Sequence, residues 1–271
     1  MKISKRIGWF GLVLLAFVVA LILMVIGSYG SVFIMEGSLD EEAIMKSVGF
    51  ATVCAHVLLI VSFAIWYYFG CGRPTLKDVK RVFESKTFLV VALVAVGLYF
   101  LTSFVMLALL PVVPSIQEFM ELSAEMSGIM ITIAAVLLAP FGEELIFRGV
   151  IFYYAKKMVA DLKNRKMAFW IANIVQALAF GILHLNVVQS TYAFIIGLVL
   201  GYLAHRYQSI VPTILAHMLI NGIGNLLVNP FAENLYELSL LKSPVVCNIG
   251  AVICLGVTIV GLRMSKATEK R

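Results

Sequence analysis

The chain has 271 residues, of which 62% are hydrophobic and 13% charged, with a net charge of +6. An average soluble domain carries about 25% charged residues. A mean hydropathy of +1.00 excludes both an ordinary soluble globule and a disordered chain, which needs low hydrophobicity and high charge.

What remains is an all-α, polytopic membrane protein. Its basic excess is then a property of loops rather than a sign of nucleic-acid binding. Eight apolar segments follow in chain order: 7–30, 48–70, 87–111, 128–155, 167–187, 191–205, 209–228 and 244–263. The first follows Lys2, Lys5 and Arg6. Its apolar run is about twice the h-region of a signal peptide and no Ala-x-Ala site follows, so it reads as an uncleaved anchor. The sixth is short and meets the seventh at a tight Arg206–Pro212 connection. No internal repeat or soluble insertion interrupts the series, so 1–271 is expected to form a single integral-membrane domain. In a bacterial source it would lie in the plasma membrane.

Charge gives the orientation. If the N-terminus is cytoplasmic, the inward segments are the N-terminus, 71–86, 156–166, Arg206 and the C-terminal tail. They hold 18 of the 21 Lys and Arg, and the outward loops hold only Lys46 and Lys242. That bias predicts that both termini are cytoplasmic. Nine acids fall in outward loops: Glu36, Asp40, Glu41, Glu42, Glu118, Glu121, Glu125, Glu233 and Glu237. The four cysteines (Cys54, Cys71, Cys247, Cys254) are scattered without a CxxC spacing, which argues against a disulfide framework or a thiolate metal site.

Three charged residues fit no loop. Glu143, Glu144 and Arg148 lie inside the fourth segment, and charge in a bilayer is a functional candidate by default because burying it costs several kcal/mol. Glu144 and Arg148 are four apart and share a helix face. Glu143 points about 100° away on an α-helix, so it is expected to lack that local partner. One carboxylate is then structural and one available, although all three residues serving only to lock helices together is the plainer alternative. The fifth segment carries Phe180-x-x-x-His184 and the seventh His217-x-x-x-Asn221, each pair on one helix face. A lone helical histidine is usually a satisfied core residue. Two histidines, an asparagine and a free glutamate on three segments offer a base, a second proton handler and oxyanion donors. His56 and His205 have no comparable companions.

Absences narrow the chemistry. There is no His-Glu-x-x-His helix, no Gly-x-Ser-x-Gly elbow and no phosphate-binding loop. Asp40, Asp78 and Asp161 all lie in loops, so no paired intramembrane aspartates exist.

The ordered set Glu143-Glu144-x-x-x-Arg148, Phe180-x-x-x-His184 and His217-x-x-x-Asn221, with Phe147-Arg148-Gly149 closing the first motif, resembles the CPBP family. These are the CAAX proteases and bacteriocin-processing enzymes, also called Abi, and include the type II CAAX prenyl endopeptidase. The matched block runs from about Pro140 to Asn225, roughly a third of the chain, and the expected catalytic core is 128–228. Segments 1–127 and 229–271 would add further helices and loops. The residues read as hydrolysis of a peptide bond by an activated water, and the resemblance implies the same roles. Glu143 is the general base and His184 shares or orients the water. His217 and Asn221 hold the oxyanion. Glu144, Arg148 and Phe180 brace the site. Glu143, His184 and His217 also make a possible His₂Glu zinc set, and the sequence leaves a metal open. The implied partners are a peptide or protein substrate, entering from the membrane or the cytoplasmic side, and the lipid bilayer, with no nucleic acid. A non-catalytic scaffold or bacteriocin self-immunity protein of the same family is the runner-up, followed by a proton-relaying transporter, which the missing internal repeat disfavours.

Depth sets a geometric demand. At ~1.5 Å per residue Glu143 stands ~19 Å above Lys156, His217 ~16 Å above Arg206, and His184 ~27 Å above Lys166. His184 is too high to share a water with Glu143 unless the fifth helix tilts or starts lower, or the fourth kinks near Pro140. Gly197-x-x-x-Gly201 is expected to permit close helix contact. Asn173, Gln176 and Asn225 are expected to hydrogen-bond between helices, and the Lys156–Lys166 run to set topology and meet lipid headgroups.

Overall fold

The computed structural model describes residues 3–71, 84–125, 128–228, 238 and 240–267. Asp78, Glu233, Glu237 and most bases of the 71–86 segment, named above from sequence, lie outside them. Among the described residues there are only helices, and eight are long and apolar enough to cross a membrane. This is an integral membrane protein. In chain order, α1 is Ile3–Glu36 and α2 is Glu41–Trp66, prolonged by a wide π turn at Tyr67–Cys71. Next come α3, Ser85–Leu109, and α4, Pro114–Glu125. The fourth crossing, α5, is Ile129–Met158; α6 is Arg165–Leu183 and α7 is Val187–Tyr207. The last crossings are α8, Val211–Gly222 with a π extension Ile223–Val228, and α9, Pro244–Ala267.

The chain divides into two compact units, residues 1–75 with 128–204 and residues 76–127 with 205–271. The expected core at 128–228 contributes to both. In the first unit, α1 and α2 form an antiparallel hairpin. Lipid is as apolar as leucine, so helices in it associate through close packing of small residues. Here Ala16, Ala20 and Gly27 of α1 and Ala51 and Ala55 of α2 are buried, and a Cβ on Gly27 would sit against the Ala55 Cα. The loop end is pinned: Gly37 takes φ +72, the Asp40 carboxylate caps α2 by accepting from Ala43 N–H, and Glu36 pairs with Lys46 at 2.6 Å. The opposite end of this unit carries Trp9 stacked on Tyr154, Trp66 Nε1–H donating to the Tyr154 hydroxyl, and Arg6 paired with Asp161 at 2.6 Å.

Helices α6 and α7 join by backbone approach. Asn173 Nδ2 donates to the Leu198 carbonyl, and Gln176 Nε2 to the Gly197 carbonyl and to Asn173 Oδ1. Gly197 leaves room for Ala177, and a Cβ at Gly201 would collide with the Asn173 and Gln176 amides. The interhelical role expected of Asn173 and Gln176 holds. Asn225 instead donates to the Asn221 carbonyl of its own helix. The sixth crossing is not short. It has 21 residues, because Gln189, Ser190 and Thr191 at its start lower the hydropathy without breaking the helix.

In the second unit α3 packs along α9 on glycines: Gly97 faces Thr258, Gly250 faces the Phe104 ring and Gly261 faces Val94. Gly224, beyond α8, lies against the Tyr99 ring. Helix α4 was not evident from hydropathy, which reads Glu118, Glu121 and Glu125 as loop acids. Ile116 is buried, with Phe119 and Met120 half-buried and Gln117 and Glu118 exposed, the pattern of an amphipathic helix lying at an interface.

Two outcomes are expected. Gly201→Ala should displace the Asn173–Gln176 amides and cost about 1–3 kcal/mol, the usual range for overpacking, seen as a lower melting temperature in detergent. The Arg6 hydrogen bond pulls the Asp161 carboxyl down to about 2. A lowered carboxyl stabilises the fold above its unfolded pKa, about 3.9, and loses that effect as pH falls through the folded value. Asp161→Asn should therefore melt slightly below wild type at pH 7. The small gap should close between about pH 4 and about pH 2.

Candidate active site

Helix α5 is built in pieces. An α turn Ile129–Ile133 runs into a π turn Ala134–Leu138, an α turn Ala139–Glu144, a second π stretch Leu145–Ile151 and a final α turn Phe152–Met158. Pro140 follows the first π turn within the crossing, where its missing N–H removes one helical hydrogen bond. Gly142 lets α2 approach, with the Ile60 side chain 3.3 Å from where a Cβ would stand, and Gly149 does the same for the Tyr67 ring. Such π turns occur often at functional sites, and this one carries all three intramembrane charges or their immediate neighbours.

Glu144 and Arg148 form an ion pair, Nη1 to Oε1 at 2.7 Å, with both side chains wholly buried. The guanidinium carbon lies 4.5 Å from the centroid of the Phe180 ring. Phe147 packs on the same ring at 5.0 Å. Phe180 thus ties α5 to α6 and spreads the buried positive charge over an aromatic face. Glu143 is half-buried. It does not lack a local charge partner, as an ideal α-helix would require. Arg148 interacts electrostatically with both carboxylates, Glu144 the more strongly.

His184 ends α6 as its C-cap residue, half-buried. Its backbone N–H turns to the Gly181 carbonyl, and its ring Nδ1 lies 2.9 Å from the Phe180 carbonyl. The side chain so satisfies one of the carbonyls that every helix end leaves open. A carbonyl only accepts, so Nδ1 carries the proton and a neutral ring presents Nε2 as acceptor. The ring also meets Phe180 edge-on at 5.0 Å. Leu185, at φ +54, and the Asn186 side chain accepting from Gln189 N–H turn the chain into α7.

Phe180 touches the Arg148 guanidinium and the Phe147 ring, so α6 passes α5 beside the ion pair. The first unit links Glu144, Arg148, Phe180 and His184 by direct contacts, with Glu143 next to Glu144 on α5. His217 and Asn221 belong to the second unit. There α8 starts without a side-chain cap, Pro212 sits in its first turn and Thr213 Oγ1 donates to the Ile210 carbonyl. His217 is 4% exposed, and Asn221 is half-buried one turn on. Zinc needs three or four grouped donors. Among the described residues no three His, Cys, Asp or Glu are so grouped. The π stretches and the Arg148–Phe180 stack were missed at the sequence level.

A family model described as type II CAAX prenyl endopeptidase Rce1-like matches residues 125–223. The match covers every candidate residue from Glu143 to Asn221 and supports the CPBP resemblance drawn from the motifs. No curated protein and no solved structure matches the chain.

The pair itself is testable. Removing one partner of a buried ion pair strands the other charge and costs about 3–5 kcal/mol. Arg148→Ala and Glu144→Ala should each yield little folded protein, measured by size-exclusion profile and melting temperature in detergent. The double variant Glu144→Gln/Arg148→Met, which leaves no charge behind, should recover most of the loss.

Proposed function

We propose that this chain, Rce1-like over residues 125–223, is an intramembrane endopeptidase. Its basic ends would face the cytoplasm, following the charge bias of its loops, and its substrate would be a peptide or protein reaching the site from the membrane or the cytoplasmic side. The observation that carries the reading is the neutralised Glu144–Arg148 pair beside a second carboxylate, Glu143, in a buried turn linked through Phe180 to His184.

Glu143 takes a proton from water, and the nascent hydroxide adds to the scissile carbonyl carbon. His184 Nε2 accepts a hydrogen bond from the hydrogen that stays on the attacking oxygen, because Nδ1–H is held by the Phe180 carbonyl. His217 and Asn221 donate to the oxyanion, which collapses as the C–N bond breaks. Glu143 returns its proton to the departing amine. Positioned general bases contribute about 10²–10⁴ in rate, and single oxyanion donors about 10²–10³.

The test is cleavage of a peptide library by purified protein in detergent and in proteoliposomes. Glu143→Ala should remove activity, and His217→Ala and Asn221→Ala should each lower kcat by about 10²–10³, all with unchanged melting temperature. Cleavage should persist with a chelator; its loss would point to zinc held by Glu143, His184 and His217. Equal cleavage by wild type and Glu143→Ala would sink the enzymatic reading. A bacteriocin-resistance phenotype that survives Glu143→Ala would favour the scaffold role.

A further inference from the structure

The π stretch Leu145–Ile151 changes which side chains share a face. On an α-helix Arg148 would lie about 140° from Glu143, on the far side of Glu144. In the structure Phe152 N–H bonds the Phe147 carbonyl, five residues back, so each residue of the stretch turns through only about 80°. That rotation swings Arg148 to a direction between the two carboxylates, about 70° from Glu143 and about 30° from Glu144.

The way Arg148 is used fits that placement. An arginine serving only as a brace is strongest when it grips a carboxylate with two parallel N–H bonds. Arg148 gives Glu144 one, from Nη1, while Nε and Nη2 are buried and make no hydrogen bond. Leaving buried donors uncommitted costs about 1–3 kcal/mol each, which a purely structural pair has no reason to bear. The Phe180 ring fixes the guanidinium plane from the other side.

We propose that Arg148 is a positioning residue for Glu143: it neutralises Glu144 with one arm and, through the rotation imposed by the π stretch, holds the Glu143 carboxylate in its working orientation with the rest of its charge. The proposal rests on Glu143 being the base. It makes the two adjacent glutamates unequal by geometry, and it assigns the π stretch a role in the reaction rather than in packing.

The experiment compares kcat and KM of folded, monodisperse wild type, Glu144→Gln/Arg148→Met, Arg148→Lys and Glu143→Gln on one cleaved peptide. The double variant is expected to lose about a hundred-fold in kcat, the scale of a ~1 Å misplacement, with KM within about two-fold. Arg148→Lys, which keeps charge but not the planar fork, should recover part of that loss. A double variant with wild-type kcat overturns the proposal. If the double variant does not fold, Arg148→Lys decides: a lower kcat at unchanged KM supports positioning, and wild-type kcat overturns it. Wild-type cleavage by Glu143→Gln overturns the base assignment and this proposal together. An inactive Glu143→Gln beside fully active Arg148 variants overturns this proposal alone.

Discussion

A guanidinium and a carboxylate, both sealed from water within a membrane-spanning helix, set the terms for everything around them. Neither ion is tolerable alone in that environment, so Glu144 and Arg148 must be made together and kept together. Phe180 lies against the guanidinium and against Phe147, and so joins α6 to α5 at the pair. The same ring and its carbonyl then hold the imidazole of His184 by edge contact and hydrogen bond. One ion pair thereby aligns two helices and sets the tautomer of a third polar group.

The remaining helices are held by shape. Alanines and glycines line the α1–α2 hairpin, and glycines recur along α3 and α9, where a side chain would meet a neighbour's backbone or ring. The Asn173–Gln176 amides reach backbone carbonyls of α7 that are already engaged in their own helix. Those carbonyls have a second lone pair to offer, so the link forms without loosening either helix. Polar side chains thus serve two ends in this protein: amides join helices to backbone, and ions define the candidate site.

Much of this was legible in the sequence, for physical reasons. Spans are legible because the bilayer demands long apolar runs, and Glu143, Glu144 and Arg148 stand out because no loop accounts for them. The Gly197–Gly201 contact follows from the spacing of small residues. What stayed hidden lacks a local signature. A π turn differs from an α turn by one hydrogen-bond register, and residues such as Leu145 or Val150 are at home in either. The amphipathic α4 falls below any span threshold because its acids alternate with Ile116 and Phe119. The Arg148–Phe180 contact joins residues 32 positions apart on different helices, which no local pattern announces.

The α1–α2 hairpin also acts as a gauge of the bilayer. Arg6 and Glu36 are thirty residues apart on one unbroken helix, ~45 Å along its axis. A bilayer is about 40–45 Å thick with its headgroups but only about 30 Å across its hydrocarbon. The ion pairs Arg6–Asp161 and Glu36–Lys46 thus fall in the two headgroup layers when α1 stands nearly upright, and a thinner membrane must be met by tilt. Asp161 lies in the turn that follows α5 and leads into α6, so the Arg6–Asp161 pair ties the headgroup-level end of α1 to that turn.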